Sequence, residues 1–153
     1  MKPFTHELRK EIDIKIKNQL DIADLIEDVD IRNQDLSYAV ISKFDRQSSD
    51  ISNCNLSRAV IGKEGQTNNL CSVKANNVIF KGAKFLGKTL LRHADLRNSN
   101  FTETYMPYVE YQYADFRGCR FCAMTITIGS REGLKAKFDK NFMEELTKYW
   151  QIE

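Results

Sequence analysis

This chain of 153 residues has only two prolines, no long apolar run and no marked excess of one charge, since its net charge is +2. Apolar runs such as Tyr38–Ile41 and Val78–Phe80 are too short to cross a bilayer as a helix. Charged residues from Glu7 to Asp13 interrupt any signal-peptide core, so we expect a cytoplasmic protein. The total charge indicates neither a strongly basic nucleic-acid binder nor a strongly acidic decoy.

The remaining composition is that of a globular protein, with 42% hydrophobic and 29% charged residues. These fractions exclude a wholly disordered or collagen-like chain, and the length is that of one domain. The four cysteines are expected to be reduced in the cytoplasm.

A repeat of five residues runs from Val29 and is clearest from Ala94 to Ile128. Each unit has a small or apolar first residue, a mostly polar second and a large apolar third. Such a period matches neither a helix nor a flat strand, because successive large residues would point in different directions. One shared core is possible only if the chain turns a corner in every unit, which predicts stacked coils.

These units resemble the pentapeptide-repeat family, whose consensus is Ala-(Asp/Asn)-Leu-x-x. The resemblance covers about residues 23–128 and implies a right-handed quadrilateral β-helix, an all-β solenoid with four units per coil. First and third residues of each unit then face inward, and this chain would form about five coils. Residues about 20 apart should therefore stack.

Four inward ladders follow from this spacing. The first holds Ile31, Ile51, Leu70, Leu91 and Tyr111; the second Leu36, Leu56, Ala75, Leu96 and Phe116; the third Ile41, Ile61, Phe80, Phe101 and Phe121; the fourth Phe85, Met106 and Ile126, preceded by Arg46 and the Gly65–Gln66 region. The repeat is one residue short near Gly62–Asn69, where turn residues predict a loop, and Lys88 is one residue too many, which predicts a bulge.

Both ends of the chain have helical spacing instead. In residues 1–22 the apolar stripe consists of Leu8, Ile12, Ile16 and Leu20, and in residues 129–153 of Phe138, Phe142, Met143, Leu146 and Trp150. We expect both helices to cap the coils. Several members of the family dimerise through a C-terminal helix, and Phe142, Leu146 and Trp150 are the candidate contacts of a homodimer here.

The chain shows no convincing catalytic, metal or cofactor site. Cys119 and Cys122 form a CxxC, but the repeat places Cys119 inward and Cys122 outward, and no second CxxC completes a zinc site. His6 and His93 are far apart and lack flanking motifs, while Gly62–Gly65 lacks phosphate-loop spacing. We expect a protein that is not an enzyme and that binds no metal or cofactor.

Charge is distributed unevenly, since residues 29–128 hold 13 Lys and Arg against 9 Asp and Glu. A basic run within them is a candidate partner-binding site, although a solvated face is the simpler reading. It comprises Lys74, Lys81, Lys84, Lys88, Arg92 and Arg97. The irregular loop adds the candidates Glu64, Gln66 and Asn68.

The leading hypothesis is a non-enzymatic module that binds an unidentified partner protein. The resemblance implies an alternative, because well-understood family members modulate DNA gyrase and other type II topoisomerases, some by imitating DNA and some through a projecting loop. The positive coil body argues against imitation of a polyanion. Nucleic-acid binding through a basic face ranks third, since stacking aromatic residues at matched spacing are lacking.

Overall fold

The computed structural model describes residues 1–122, 125–128, 135–140 and 150–152. In these residues all strand pairs are parallel, and the chain winds into stacked four-sided coils. The helices are α1 (His6–Lys17) and α2 (Ala23–Ile26), and the strands are β1 (Val40–Ile41), β2 (Val60–Ile61), β3 (Thr67–Asn69), β4 (Lys84–Phe85), β5 (Lys88–Leu90), β6 (Tyr105–Glu110), β7 (Thr125–Ile128) and β8 (Trp150–Ile152). The predicted right-handed quadrilateral β-helix is confirmed.

Two local features turn the chain at many of its corners, as the unit around Ile51 shows. The Asp50 carboxylate accepts a hydrogen bond from the Ser52 backbone N–H at 2.9 Å. Asn53 adopts φ +62°, and the Cys54 N–H donates to the Ile51 carbonyl at 3.2 Å. An Asp or Asn before the inward residue thus bonds the backbone two residues on, and a positive-φ residue completes the turn. This explains why the second residue of the repeat is so often Asp or Asn.

Stacked residues define four faces, which we number I to IV in chain order. Face I contains Ile31, Ile51, Ala75, Leu96 and Phe116; face II contains Leu36, Leu56, Phe80, Phe101 and Phe121; face III contains Ile41, Ile61, Phe85, Met106 and Ile126; face IV contains Arg46, Leu70, Leu91 and Tyr111. All except Arg46 are apolar, so one apolar core runs along the stack.

The stacking differs from the prediction on one side of the Gly62–Asn69 loop. Ile61 pairs with Phe85, whereas the predicted ladder placed it beside Phe80. The loop is therefore four residues longer than a regular corner, not one residue shorter. Because the prediction treated the loop as one residue short, it placed every pair across the loop on the adjacent face. The predicted stack of Phe80 on Phe101, which both follow the loop, is correct, with ring centroids 4.9 Å apart.

Two other irregularities occur where the repeat predicted them. One extra residue lies between β4 and β5, which confirms a bulge next to Lys88. Arg46 replaces an apolar residue on face IV and is only 4% exposed. Its guanidinium donates to the Val29 carbonyl at 2.8 Å and the Ile26 carbonyl at 2.5 Å, so it satisfies backbone groups at the end of α2.

Helix α1 packs against the core at the N-terminal end of the coils. The Thr5 hydroxyl accepts a hydrogen bond from the Leu8 N–H at 3.1 Å and caps the helix. Ile12 is fully buried, and Leu8 and Ile16 pack against the core. Leu20 follows the end of α1 and is 51% exposed, so it is not part of the packed stripe.

The predicted C-terminal helix differs from the structure at both of its ends. Lys137 pairs with Asp115, and the Phe138 ring stacks on Phe116 at 5.0 Å, so this unit continues face I as a further rung. Trp150 begins strand β8 and pairs with Ile126. These two segments extend the parallel ladder, because each satisfies backbone groups on the last coil that a helix would leave unpaired. Residues 141–149 lie outside the described residues.

Candidate protein-interaction surface

The basic run does not form a single face. Lys74 and Arg97 lie on face I, Lys81 on face II, Lys84 on face III, and Lys88 at the corner that leads to face IV. Arg92 lies on face IV. Because the run is about as long as one coil, its members are spread around the solenoid, and no continuous basic groove forms along the described residues.

Most of these cations are also paired with carboxylates. Lys74 lies 3.8 Å from Asp50, and Arg97 lies 2.8 Å from Asp95. Lys88 and Arg92 both reach Glu110, at 3.1 and 3.9 Å. Within the part of the chain described, only Lys81 and Lys84 of the run form no ion pair.

Face I is a ladder of ion pairs. Asp30 and Asp95 each bind the arginine two residues later, through two side-chain hydrogen bonds or more. Hydrogen bonds from Arg32 and Arg97 lower the pKa of both carboxyl groups to about 2. Positive and negative groups alternate here, so face I offers neither an acidic stripe for DNA mimicry nor a basic one for phosphates.

The irregular loop lies on the opposite side of the core. Gln66 N–H donates to the Lys63 carbonyl at 3.1 Å, and Gly65 supplies φ +77° within this turn. The loop backbone rests on Gly87 of the next coil, where a Cβ atom would come within 2.1 Å of the Gln66 carbonyl oxygen. Only glycine fits that position, so the loop backbone packs directly on the next coil; we call it the seated loop.

Of the three loop candidates, two are exposed and one is structural. Glu64 and Gln66 are exposed. Asn68 is 2% exposed, and its amide donates to the Leu86 carbonyl at 3.0 Å. Asn68 thus holds the base of the loop and is not available to a partner.

Two tyrosines complete this side of the molecule. Tyr105 pairs with Lys84 and Tyr108 with Lys88 in the adjacent strand, and the tyrosines are 41% and 61% exposed. We name the group the shelf surface. It consists of Glu64, Gln66, Lys84, Lys88, Tyr105 and Tyr108. It joins a rigid β-sheet, two exposed aromatic rings and a seated loop, a combination typical of protein-contact sites.

Sequence reasoning overlooked both tyrosines. It followed the inward positions, whereas Tyr105 and Tyr108 lie at outward positions of their units. A large aromatic residue at an outward position was the available signal, since such positions elsewhere hold mainly polar residues.

The candidate dimer contacts are only partly described. Phe142 and Leu146 lie outside the described residues, and Trp150 lies in β8. The homodimer therefore stays a prediction.

The cysteines and His93 have structural surroundings. The Cys119 thiol donates to the Leu96 carbonyl at 2.9 Å, and burial raises its pKa to about 12, while Cys122 is exposed. The His93 ring stacks on Tyr113 at 4.8 Å. No cluster of three His, Cys, Asp or Glu side chains suited to a metal occurs in the described ranges.

None of the helices described has the length and apolar character needed to traverse a membrane.

Comparison with known proteins points to the repeat region. A family model described as "Pentapeptide repeats" matches residues 86–121, in eight copies. No match was found among curated proteins.

Several solved structures resemble the chain. A pentapeptide repeat protein from the cyanobacterium Cyanothece 51142 is 16% identical with a TM-score of 0.47, and the match covers 71% of this chain and 64% of that one. One from Nostoc Pcc 7120 is 16% identical with a TM-score of 0.45, covering 99% and 98%. QnrB1, a plasmid-mediated fluoroquinolone resistance protein, is 12% identical with a TM-score of 0.23, covering 77% and 88%. The chain thus spans less than two thirds of the Cyanothece protein.

Proposed function

Because the repeat region of this chain belongs to the pentapeptide-repeat family, we propose that the protein is a non-enzymatic interaction module that binds a partner protein through the shelf surface. The observation that supports this proposal is the exposure of Tyr105 and Tyr108 on strand β6. Tyrosine supplies a large contact area at a low cost in side-chain entropy, and a rigid strand needs no ordering before it binds. A cytoplasmic location rests on the sequence alone and stays a prediction.

Substitution of the two tyrosines tests the proposal. Proteins captured from a lysate of the source organism, after chemical cross-linking, are compared by quantitative mass spectrometry for the wild type and the Tyr105→Ser, Tyr108→Ser double variant. Tyr38→Ser is the matched control, since Tyr38 is 62% exposed on the first coil. We expect a partner that the wild type and the control retain and the double variant loses. Equal recovery by all three proteins would contradict the proposal.

A second candidate function is modulation of a type II topoisomerase, which the seated loop Lys63–Gln66 favours. Deletion of these four residues restores regular spacing, so that Thr67–Asn69 follows Gly62 as Lys43–Asp45 follows Ser42. We expect the shortened protein to fold, because the corner then matches the preceding coil.

Gyrase supercoiling assays decide this second function. Inhibition by the wild type that is lost on deletion of Lys63–Gln66 would support it. No inhibition at micromolar excess on the enzymes of the source organism would exclude it. Circular dichroism on the deletion variant shows whether the β-helix has formed, so a folding defect is not mistaken for a lost activity.

A further inference from the structure

Three basic residues, Arg58, Lys81 and Lys84, lie at or next to the corner between faces II and III, beside the shelf surface. Arg58 occupies this corner in one coil and Gly82 occupies it in the next. A Cβ atom on Gly82 would lie 3.1 Å from Arg58 Cγ and 3.7 Å from Arg58 Nη1. The absence of a side chain at Gly82 thus lets the arginine lie along the stack, with its guanidinium over the glycine.

Lys81 immediately precedes Gly82 in the sequence, and Lys84 follows it by two residues, so both lysines lie next to the corner that the Arg58 guanidinium covers. We name Arg58, Lys81 and Lys84 the basic corner. All three side chains are exposed, and none forms an ion pair with any described residue. The corner differs in this respect from the neighbouring cations of the run, such as Lys74 and Lys88, which have carboxylate partners.

Three like charges on neighbouring residues repel one another when none of them has an ion-pair partner, and an added anion relieves that repulsion. We propose that the basic corner binds a carboxylate-rich segment of a partner protein, and that Tyr105, below Lys84, contacts the apolar side chains of that segment. This inference rests on the proposed function and specifies the chemistry of the partner. Arginine supplies a planar pair of donors for one carboxylate, and the two lysines serve further carboxylates.

The surrounding charges favour an acidic protein segment over a nucleic acid. Glu103 occupies the same corner one coil below Gly82, and Glu64 lies in the loop that rests on Gly87. A nucleic acid carries a regular line of phosphates and would bring some of them against these carboxylates. A protein segment can place uncharged side chains opposite these carboxylates, which a strand with a phosphate at every nucleotide cannot do.

A labelled acidic peptide tests the proposal. The probe is a fluorescein-labelled peptide of about eight alternating Glu and Leu residues, and fluorescence anisotropy at low salt measures its affinity. Removal of two cations by Lys81→Ala and Lys84→Ala should weaken binding about tenfold. Tyr105→Ser should weaken it about threefold through lost apolar contact.

The matched control removes two exposed lysines from α1, by Lys10→Ala and Lys17→Ala. Its net charge equals that of the corner variant, so it should bind the peptide within about twofold of the wild type. Equal losses in both double variants would show unspecific attraction and overturn the proposal. So would failure of the wild type to bind, or tighter binding of an oligothymidylate that the corner variant loses, which would assign the corner to nucleic acid.

The two proposals fail in distinguishable ways. If the acidic peptide does not bind but the tyrosine variant loses its cross-linked partner, the shelf surface stands and the basic corner falls. If the peptide binds at the corner but the tyrosine variant keeps every partner, the corner stands as a peptide site and the proposed function of the shelf surface falls.

Discussion

At the scale of single residues, the core depends on rings that stack from coil to coil. Phe101 is fully buried between Phe80 and Phe121, with ring centroids 4.9 and 5.5 Å away. Because the next coils fix the positions of both neighbours, little collapse can fill a gap left at Phe101.

We therefore expect Phe101→Ala to lower the free energy of unfolding by about 3–5 kcal/mol through lost burial and a cavity. The matched control is Thr102→Ala, the next residue, whose side chain lies at an outward position; it should change stability by no more than about 0.5 kcal/mol. Urea denaturation followed by circular dichroism measures both. Similar losses for the two variants would contradict the assignment of inward and outward positions.

The cysteines give a second residue-scale prediction. Burial raises the pKa of the Cys54 thiol to about 12, and that thiol donates to the Ile31 carbonyl at 3.4 Å. A thiolate is the reactive form, so Cys54 should not react in the native protein. The same applies to Cys119, whereas exposed Cys122 and half-buried Cys71 should be labelled. Brief treatment with iodoacetamide at pH 8, followed by mass spectrometry, identifies the labelled sites; early labelling of Cys54 would contradict the prediction.

At the scale of elements, face I couples folding to pH. Its carboxylates bond arginines, and the hydrogen bond from Arg97 lowers the pKa of Asp95 to about 2 in the folded chain. An unfolded aspartate has a pKa of about 3.9. The folded state therefore holds the ionised carboxylate more strongly, and this stabilisation is complete above about pH 4 and is lost as the pH falls through about 2.

Asp95→Asn tests this dependence. The variant keeps an oxygen that can accept from the Arg97 N–H but has no charge to lose, so its stability should fall less between about pH 5 and 2 than that of the wild type. Glu103→Gln is the control, because exposed Glu103 forms no ion pair with a described residue. Urea midpoints across this pH range measure the effect. Parallel pH profiles for the wild type and Asp95→Asn would refute it.

At the scale of the whole molecule, the two ends of the solenoid are closed differently. Helix α1 covers the first coil, whereas β8 adds a strand to the last. Among the described residues β8 has one strand neighbour, β7. An edge strand with free backbone groups is a site where a second chain can pair.

A homodimer through the C-terminal segment is therefore our whole-molecule prediction, with Phe142, Leu146 and Trp150 as candidate contacts. Closed two-fold pairing is the most frequent arrangement of identical chains. Light scattering should give a dimer for the full chain and a monomer for a chain that ends at Lys140. Circular dichroism shows whether the shorter chain keeps its β-helix. A monomeric full chain at high micromolar concentration would contradict the dimer.

The sequence by itself determined the coil and its inward residues, because the turn of each unit is made locally. Asp50, Ile51 and Asn53 show this: an acceptor, an apolar residue and a positive-φ residue within four positions suffice to turn the corner. The repeat constrains the residue type at inward positions more strongly than at exposed ones. The sequence therefore identified Lys84 and Lys88 as candidates but not the tyrosines beside them.

Only the tertiary structure decided how the coils stack across the Gly62–Asn69 loop. A loop can shorten or lengthen a corner, and both choices leave apolar residues facing inward, so local pattern cannot separate them. The backbone hydrogen bonds between β2 and β4 pair Ile61 with Phe85 and remove the ambiguity. The same stacking spread the basic run around the coil and placed the Arg58 guanidinium over Gly82, because residues far apart in sequence become neighbours only when one coil lies on the next.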